Sequence, residues 1–274
     1  MTAHTPALSD DQIHQYWRDG YVYGIPILTP KQMSIARKKL IDLEGQELEK
    51  DPIRWSDPEY QPWMEPGNPW WHWFQGMVRH PTLIAAVQDI LGPNVLVRNA
   101  DIFVKPVGSE ETIQWHTDTT APDADADKML TAWLAISDSS SKNGCMEWLT
   151  GSHREALPPE VKDKHSLSFN KKSAKAARKR PRQPNILEPG QLSLHHFRTI
   201  HRSQYNRTKS PRIGLVIRFM ASSTPIEVAE SGKGMLVAGS NLPGHFMAVP
   251  CFHVSWRREE TTQLSEQAKP SWIG

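Results

Sequence analysis

Apolar and polar residues in the first part of the chain recur with the spacing of helices. Ser9 is followed three residues later by Gln12, a capping-box pattern that predicts a helix from Ser9 to about Asp19. Gly20 then predicts the end of that helix, because glycine readily adopts the left-handed backbone of a helix C-terminus. Alternation over Tyr21 to Ile25 predicts a short strand.

Two further helices are predicted before residue 93. Thr29-Pro30 places proline at the first position of a second helix, and apolar residues then follow at helical spacing. These apolar positions are Met33, Ala36, Leu40 and Leu43. A third helix covers roughly Pro81 to Leu91 and ends at Gly92-Pro93. The stretch 55–73 is rich in Trp, Pro and Gly and has no period, so we expect an ordered loop there.

From residue 94 onward the pattern changes to short apolar runs separated by Gly, Pro, Asn and Asp. The predicted strands are Val95–Val104, Thr112–His116, Leu130–Ile136, Gln191–His196 and Ile213–Met220. Helices followed by many short strands predict an α+β protein with a closed or sandwiched β core.

We expect a single domain over residues 1–274. Its helical part covers about 9–92 and its β core about 94–222. A basic segment at about 160–185, the basic excursion, interrupts the core. Lys and Arg dominate the excursion between residues 171 and 182. That composition predicts an exposed segment or a mobile lid.

Composition narrows the functional classes. Hydrophobic residues make up 38% and charged residues 23% of the chain, as in globular proteins. The net charge of +2 argues against a nucleic-acid binder. No apolar run approaches the ~20 residues that cross a bilayer, and the N-terminus lacks a secretory pattern. Cys145 and Cys251 are the only cysteines and cannot form a disulfide framework, so we expect a cytoplasmic location. We also expect a monomer or homodimer with a small-molecule substrate.

A His-x-Asp pair lies at the end of one predicted strand. His116 and Asp118 would share a face of that strand and converge on one ion, while Thr117 points away. With His201 they would form the set of two histidines and one carboxylate that holds iron in non-heme oxygenases. Arg212 lies beyond His201 and suits the far carboxylate of a keto acid. Taken alone, the pair could equally be a surface histidine beside a carboxylate.

Ordered landmarks along the chain resemble those of the phytanoyl-CoA dioxygenase family. They are His116-Thr117-Asp118, Trp133, Asn143-Gly144, Gly151-Ser152-His153, Pro189-Gly190-Gln191, His201-Arg202-Ser203 and Pro211-Arg212. The family consists of oxygenases that depend on Fe(II), 2-oxoglutarate and O2. Its fold is a cupin-like double-stranded β-helix, or jelly roll. The resemblance runs from about Ser9 to Phe219 and implies that the N-terminal helices pack on such a core.

The resemblance also implies roles for individual residues. The iron ligands would be His116, Asp118 and His201. The 2-oxoglutarate site would contain Arg212 and Ser203, with Trp133 and Lys105 beside them. In related halogenases the position of Asp118 is a small residue, so the aspartate favours hydroxylation.

Fold does not determine the substrate. Trp55, Trp63, Trp70, Trp71 and Trp73 could cage a quaternary ammonium group or simply pack as apolar side chains. Candidate partners for an anion are Arg98, Asn99, Arg202 and Arg218, and His196 could lie near the pocket or be structural. These features favour a small zwitterion, an aminoalkylphosphonate or a quaternary-ammonium compound. The alternatives are an acyl-CoA docked on the basic excursion, an amino acid, a natural-product intermediate, or a non-catalytic jelly-roll binding module.

Overall fold

The structure is a computed structural model that describes residues 5–38, 71–110, 112–119, 125–154, 159–163, 166–169, 179–224, 233–240 and 247–248. Helix α1 (Asp10–Asp19) begins and ends where the sequence predicts. Both hydrogen bonds of the capping box between Ser9 and Gln12 are present, and Gly20 closes the helix with φ 88°. The local sequence therefore sets both ends of this helix.

Three more α-helices lie between residues 30 and 91 in the part of the chain that the structure describes. Helix α2 covers 30–38, α3 covers Trp71–Val78 and α4 covers Pro81–Leu91. Helix α4 has proline at its first turn and Gly92 at its C-terminal cap, as predicted. Among the described residues, no helix combines the length and the apolar character that a membrane crossing requires.

Helix α3 corrects the prediction of a loop over 55–73. Trp71 and Trp73 begin this helix, while residues 55–70 lie outside the described ranges. Its buried side chains are Trp73, Phe74, Met77 and Val78. These positions lie on one face of the helix, but eight residues are fewer than the window of about 11–18 residues in which a helical period is recognised.

The strands form two main antiparallel sheets. In chain order they are β1 (Tyr21–Pro26), β2 (Val95–Lys105), β3 (Ile113–His116), β4 (Met129–Ala135), β5 (Met146–Leu149), β6 (Pro159–Asp163), β7 (Ser166–Phe169), β8 (Arg182–Pro184), β9 (Gln191–His196), β10 (His201–Ser203), β11 (Arg212–Ala221), β12 (Lys233–Ala238) and β13 (Met247–Ala248). The large sheet has the order β1-β9-β4-β11-β2-β12-β13, and the small sheet has the order β3-β10-β5-β8. Strands β6 and β7 pair separately, and the last pair of the large sheet, β12 and β13, is parallel. The predicted α+β class is confirmed.

The helices cover one side of the large sheet. Phe74 and Leu83 from the helices share one apolar core with Val97, Ile217 and other side chains of that sheet. On the opposite side, the Tyr21 ring of β1 stacks on the Trp148 ring of β5, with centroids 4.5 Å apart and planes 8° apart. This contact joins the large sheet to the small sheet, and the space between the two sheets holds the candidate site.

We expect Gly20→Ala to destabilise the fold. An added Cβ would lie 2.5 Å from His153 Nδ1 and 2.6 Å from Thr199 Oγ1, at a left-handed φ of 88°. Left-handed strain of about 1–2 kcal/mol and overpacking of about 1–3 kcal/mol should together lower the free energy of unfolding by about 2–5 kcal/mol in urea titrations.

Gly108→Ala is the matched control for this measurement. Gly108 also has a positive φ, 64°, but nothing lies within 4 Å of the added methyl group. The control should therefore cost only the backbone strain of about 1–2 kcal/mol. Equal losses in the two variants would show that the contact with His153 and Thr199 is unimportant.

Candidate metal centre and cosubstrate pocket

Two histidines of the small sheet face each other across neighbouring strands. His116 ends β3, and His201, which begins β10, is its direct cross-strand partner. Their ring centroids lie 4.1 Å apart. Cross-strand neighbours on one face of an antiparallel pair are close enough to share a ligand.

Asp118 completes the cluster from just beyond β3. One potential ligand atom from each of His116, Asp118 and His201 lies within 4.8 Å of the other two. Strand alternation is not the reason, because β3 ends at His116 and Thr117 is buried in the segment that follows. The Asp118 backbone N–H donates to Phe197 O at 3.0 Å, which ties this segment to the chain just after β9.

Both imidazoles are oriented by backbone carbonyl groups. Nδ1 of His116 lies 2.8 Å from Gln114 O, and Nδ1 of His201 lies 2.9 Å from Thr199 O. A carbonyl oxygen only accepts, so each Nδ1–H donates and each Nε2 keeps a lone pair for a metal. Burial lowers the pKa of His116, and it lowers the pKa of His201 well below the usual histidine range. Both rings are therefore neutral, which is the form that binds metals.

The Asp118 carboxylate is buried among hydrogen-bond donors. Oδ2 accepts from Thr131 Oγ1 at 2.6 Å and lies 3.0 Å from His195 Nε2. Arg218 Nη2 lies 3.5 Å from Oδ1. Burial would raise the pKa of Asp118, but the charge of Arg218 and the hydrogen bond from His195 outweigh it and hold the pKa well below its usual value. Asp118 is therefore an anionic oxygen ligand at neutral pH.

Arg212 is a buried cation in the same cavity. Its side chain donates to Gly144 O, and its guanidinium carbon lies 5.6 Å from the centroid of the Trp133 ring. Within the described residues its Nε has no hydrogen-bond partner and the guanidinium makes no ion pair with a carboxylate. Burial lowers the pKa of Arg212 to about 10, so the group remains charged at neutral pH. A buried guanidinium of this kind is suited to an external carboxylate.

The backbone around Arg212 brings further predicted residues to the same place. Lys105 is the cross-strand partner of Arg212. Its ammonium donates to Ser203 Oγ at 3.0 Å and to Gln204 O at 2.6 Å. Gly214 makes room for Trp133, because a Cβ there would lie 2.2 Å from the indole ring. The four residues predicted for the cosubstrate therefore cluster, and Ser203, Trp133 and Arg212 themselves line the cavity.

The cavity lies between the sheets and contains about 490 Å³ of space, counting its open mouth. Besides the three candidate ligands and the Arg212 cluster, its wall includes Phe103, Ile113, Met146, Val216, Arg202 and Arg218. Apolar side chains and arginines thus surround the ligand cluster.

Some of the candidate substrate residues line the cavity and others do not. Arg218 lines the cavity and pairs with Asp101 at 2.9 Å, and Asn99 donates to the same carboxylate at 3.2 Å without reaching the wall. Arg98 is half-buried, and it is not part of the cavity wall. Arg202 lines the cavity and pairs with Glu147 at 2.8 Å.

The predicted aromatic cage is not found in the part of the chain that the structure describes. Trp73 is buried in the core under the large sheet and not on the cavity wall. Trp71 lies in helix α3, and Trp55, Trp63 and Trp70 fall outside the described residues.

His196 points away from the cavity, contrary to the placement that the resemblance indicated. Its Nε2 lies 3.0 Å from Asp127 Oδ1, and its Nδ1 accepts from the Arg198 backbone N–H at 3.1 Å. Successive residues of a strand face opposite sides, so His195 faces the cavity instead. Sequence reasoning missed His195 and Thr131 as contacts of Asp118. Alternation along β9 indicates that His195 and His196 face opposite sides, but only the sheet pairing determines which of them meets the cavity.

The comparisons with known proteins agree with this architecture. The solved non-heme monooxygenase ThoJ, in its apo form, is 24% identical, with 87% of each chain covered and a TM-score of 0.64. CytC3 with Fe(II) and alpha-ketoglutarate is 19% identical, with 90% of this chain and 94% of that chain covered and a TM-score of 0.60. At these identities the likeness shows a shared fold.

Sequence comparison identifies the family. The profile described as phytanoyl-CoA dioxygenase (PhyH) matches residues 71–214, just over half of the 274 residues. The chain therefore belongs to the phytanoyl-CoA dioxygenase family, as its motifs predicted.

Two curated relatives share part of the chain. The probable alpha-ketoglutarate-dependent hypophosphite dioxygenase of Stutzerimonas stutzeri is 29% identical over 154 residues, 53% of this chain and 52% of that protein. The peroxisomal phytanoyl-CoA dioxygenase of Homo sapiens is 26% identical over 149 residues, 52% of this chain and 44% of that protein. The chain thus matches about half the length of these relatives.

The burial of His196 predicts a pH dependence of stability. Burial, and then the nearby His153, lower the pKa of His196 from 6.5 to about 4. Between these values the unfolded chain binds a proton that the folded protein does not, so stability falls as the pH falls from 6.5 to 4. At about 1.4 kcal/mol per pH unit, the total loss from this group is about 3 kcal/mol.

His196→Gln should reduce the loss of unfolding free energy between pH 6.5 and 4 by about this amount, measured by urea unfolding at each pH. His14→Gln, at an exposed histidine of α1, is the matched control and should leave the slope unchanged. The same slope in His196→Gln and the parent protein would contradict the prediction.

Proposed function

We propose that this protein is an Fe(II)- and 2-oxoglutarate-dependent dioxygenase that hydroxylates an unactivated C–H bond of a small anionic molecule. One observation carries the proposal. A cluster of two histidines and one aspartate shares a cavity with a buried arginine that lacks a carboxylate partner in the described structure. These are the two fixed elements that an iron and a keto diacid require.

The donor set fits Fe(II). Two neutral imidazoles and one carboxylate on one side of an ion leave three positions open, which is the arrangement of non-heme iron oxygenases. His116, Asp118 and His201 would hold the metal. Bound Fe(II) would supply oxygen activation, coupled to conversion of 2-oxoglutarate to succinate and CO2. The chain's own contribution is to orient both imidazoles through Gln114 and Thr199 and to keep the carboxylate ionised.

Arg212 would bind the distal carboxylate of 2-oxoglutarate. A guanidinium buried to 4% exposure can form a two-point, charge-assisted interaction that water screens little. Ser203, which accepts from the Lys105 ammonium, would line the same end of the cavity, with the Trp133 ring against the guanidinium. The curated relatives and CytC3 carry 2-oxoglutarate, dioxygenase or both in their names, which supports this assignment.

The fold supports the same proposal. We assign the two antiparallel sheets, which enclose the cavity from both sides, to a double-stranded β-helix with the N-terminal helices packed on the large sheet. The likeness to solved non-heme enzymes supports this assignment.

For the substrate, we favour a small molecule with an anionic end, such as an aminoalkylphosphonate. Of the described residues that line the cavity, three are arginines and one is acidic, although Arg202 and Arg218 also pair with Glu147 and Asp101. Bound Fe(II) would add positive charge. The Stutzerimonas relative is named for a phosphorus oxyanion, which points the same way. Trp73 is buried in the core and does not form an aromatic cage. A quaternary-ammonium group on the substrate therefore has less support than an anionic group.

We expect Arg212→Ala to raise the KM for 2-oxoglutarate at least about 30-fold, since losing one partner of a buried charge pair costs roughly 2–5 kcal/mol. Arg212→Lys should recover only part of this loss, because an ammonium group cannot make two parallel bonds. Arg207→Ala, an exposed arginine five residues earlier, is the control and should change KM little. An unchanged KM in both Arg212 variants would remove this residue from the cosubstrate site.

Succinate release in the presence of Fe(II), 2-oxoglutarate and O2 tests the substrate class. We expect aminoalkylphosphonates to stimulate release above the uncoupled background, and their neutral alcohol counterparts to stimulate less. The panel should also contain hypophosphite, trimethylammonium compounds, amino acids and acyl-CoA thioesters. Stimulation by acyl-CoA alone would overturn the small-anion proposal and leave the reaction class intact.

A further inference from the structure

Three hydrogen-bond donors form one row across the large sheet. His195 on β9 is the register partner of Thr131 on β4, and Thr131 is the register partner of Arg218 on β11. Cross-strand neighbours point to the same face of a sheet and lie about 5 Å apart, so their side chains act together. We call His195, Thr131 and Arg218 the donor row. All three contact the Asp118 carboxylate.

The contacts of the donor row are unequal between the two carboxylate oxygens. Oδ2 receives the Thr131 hydroxyl at 2.6 Å and His195 Nε2 at 3.0 Å. Oδ1 has only Arg218 Nη2, at the long distance of 3.5 Å. A carboxylate oxygen accepts about two hydrogen bonds through its lone pairs, so Oδ2 is saturated. Oδ1 keeps a lone pair.

We propose that His195, together with Thr131 and Arg218, is a positioning residue that makes Asp118 a one-oxygen metal ligand through Oδ1. The inference rests on the proposed metal site. The positioning role explains why three coordination positions on the metal would stay open. A carboxylate that bound through both oxygens would occupy one of them. Hydrogen bonds to Oδ2 compete with the metal for that oxygen and prevent the two-oxygen mode.

A role for His195 as a fourth metal ligand is the rival explanation. His195 lies close to the candidate ligands, since its ring centroid is 4.7 Å from that of His201. Its Nε2, however, is committed to Asp118 Oδ2, and it lies on the opposite sheet from both candidate histidine ligands. Among the described residues, the cluster whose ligand atoms all lie within 4.8 Å of one another contains no His195.

The first test measures affinity for Co(II), a redox-stable substitute for Fe(II), by titration of the metal-free protein. His195→Phe and Thr131→Val keep the approximate shape of each side chain and remove its donor. Each should weaken Co(II) binding about 10–100-fold, the usual effect of losing an outer partner of a metal ligand. Thr131→Ser restores the hydroxyl and should recover most of the affinity.

Ser193→Ala is the matched control, because Ser193 is a buried hydroxyl on β9 that binds Asn185 rather than Asp118. Its Co(II) affinity should equal that of the parent protein. Thermal unfolding of each variant separates loss of fold from loss of the site, and Thr131→Ser provides a folded comparison if His195→Phe unfolds. Unchanged Co(II) affinity in folded His195→Phe and Thr131→Val would overturn the proposal.

The second test separates positioning from ligation. Electron spin echo modulation of the vanadyl-loaded protein counts the imidazoles bound to the metal. We expect the same two histidines in the parent protein and in His195→Phe. Loss of one imidazole signal in His195→Phe would make His195 a ligand and overturn the positioning role. If the parent protein binds neither Co(II) nor vanadyl, the proposed function itself fails, and the positioning role fails with it.

Discussion

The arrangement of the site depends on the burial of one negative charge. An ionised carboxylate between two apolar sheets is stable only if donors and cations surround it. Asp118 meets this condition through the donor row on the large sheet, and a metal bound between Asp118 and the two candidate histidine ligands would add a cation on the other side. The same carboxylate therefore contacts three strands of the large sheet and supplies the anionic oxygen of the candidate metal centre.

Arg212 lines the same cavity and shows the opposite electrostatic arrangement. Asp118 is held by three donors, whereas the described structure offers Arg212 a backbone carbonyl and an aromatic face but no anion. Buried charges in proteins are normally paired, so an unpaired one marks a place where a ligand completes the structure. The cavity therefore has a paired anion at the candidate metal centre and an unpaired cation at the proposed cosubstrate site.

Local sequence was enough to predict some elements and not others. The capping box at Ser9 and the proline and glycine around α4 act within a few residues, so those helices were predictable. Helix α3 was not, because its eight residues are too few for a helical period to be recognised. The candidate iron ligands were found from motif spacing. The direction of His195 and His196 instead depended on which face of β9 meets the cavity, which only the sheet pairing determines.

The most direct test of the account is the visible spectrum of the protein with Fe(II) and 2-oxoglutarate under anaerobic conditions. The account predicts a weak charge-transfer band that requires both additions, because a keto acid chelated to iron at the three-residue site absorbs there. The band should be absent in His201→Ala, which lacks one of the three ligands. A parent protein that shows no band, or a His201→Ala variant that keeps it, would contradict the account and would favour a binding module on the same fold.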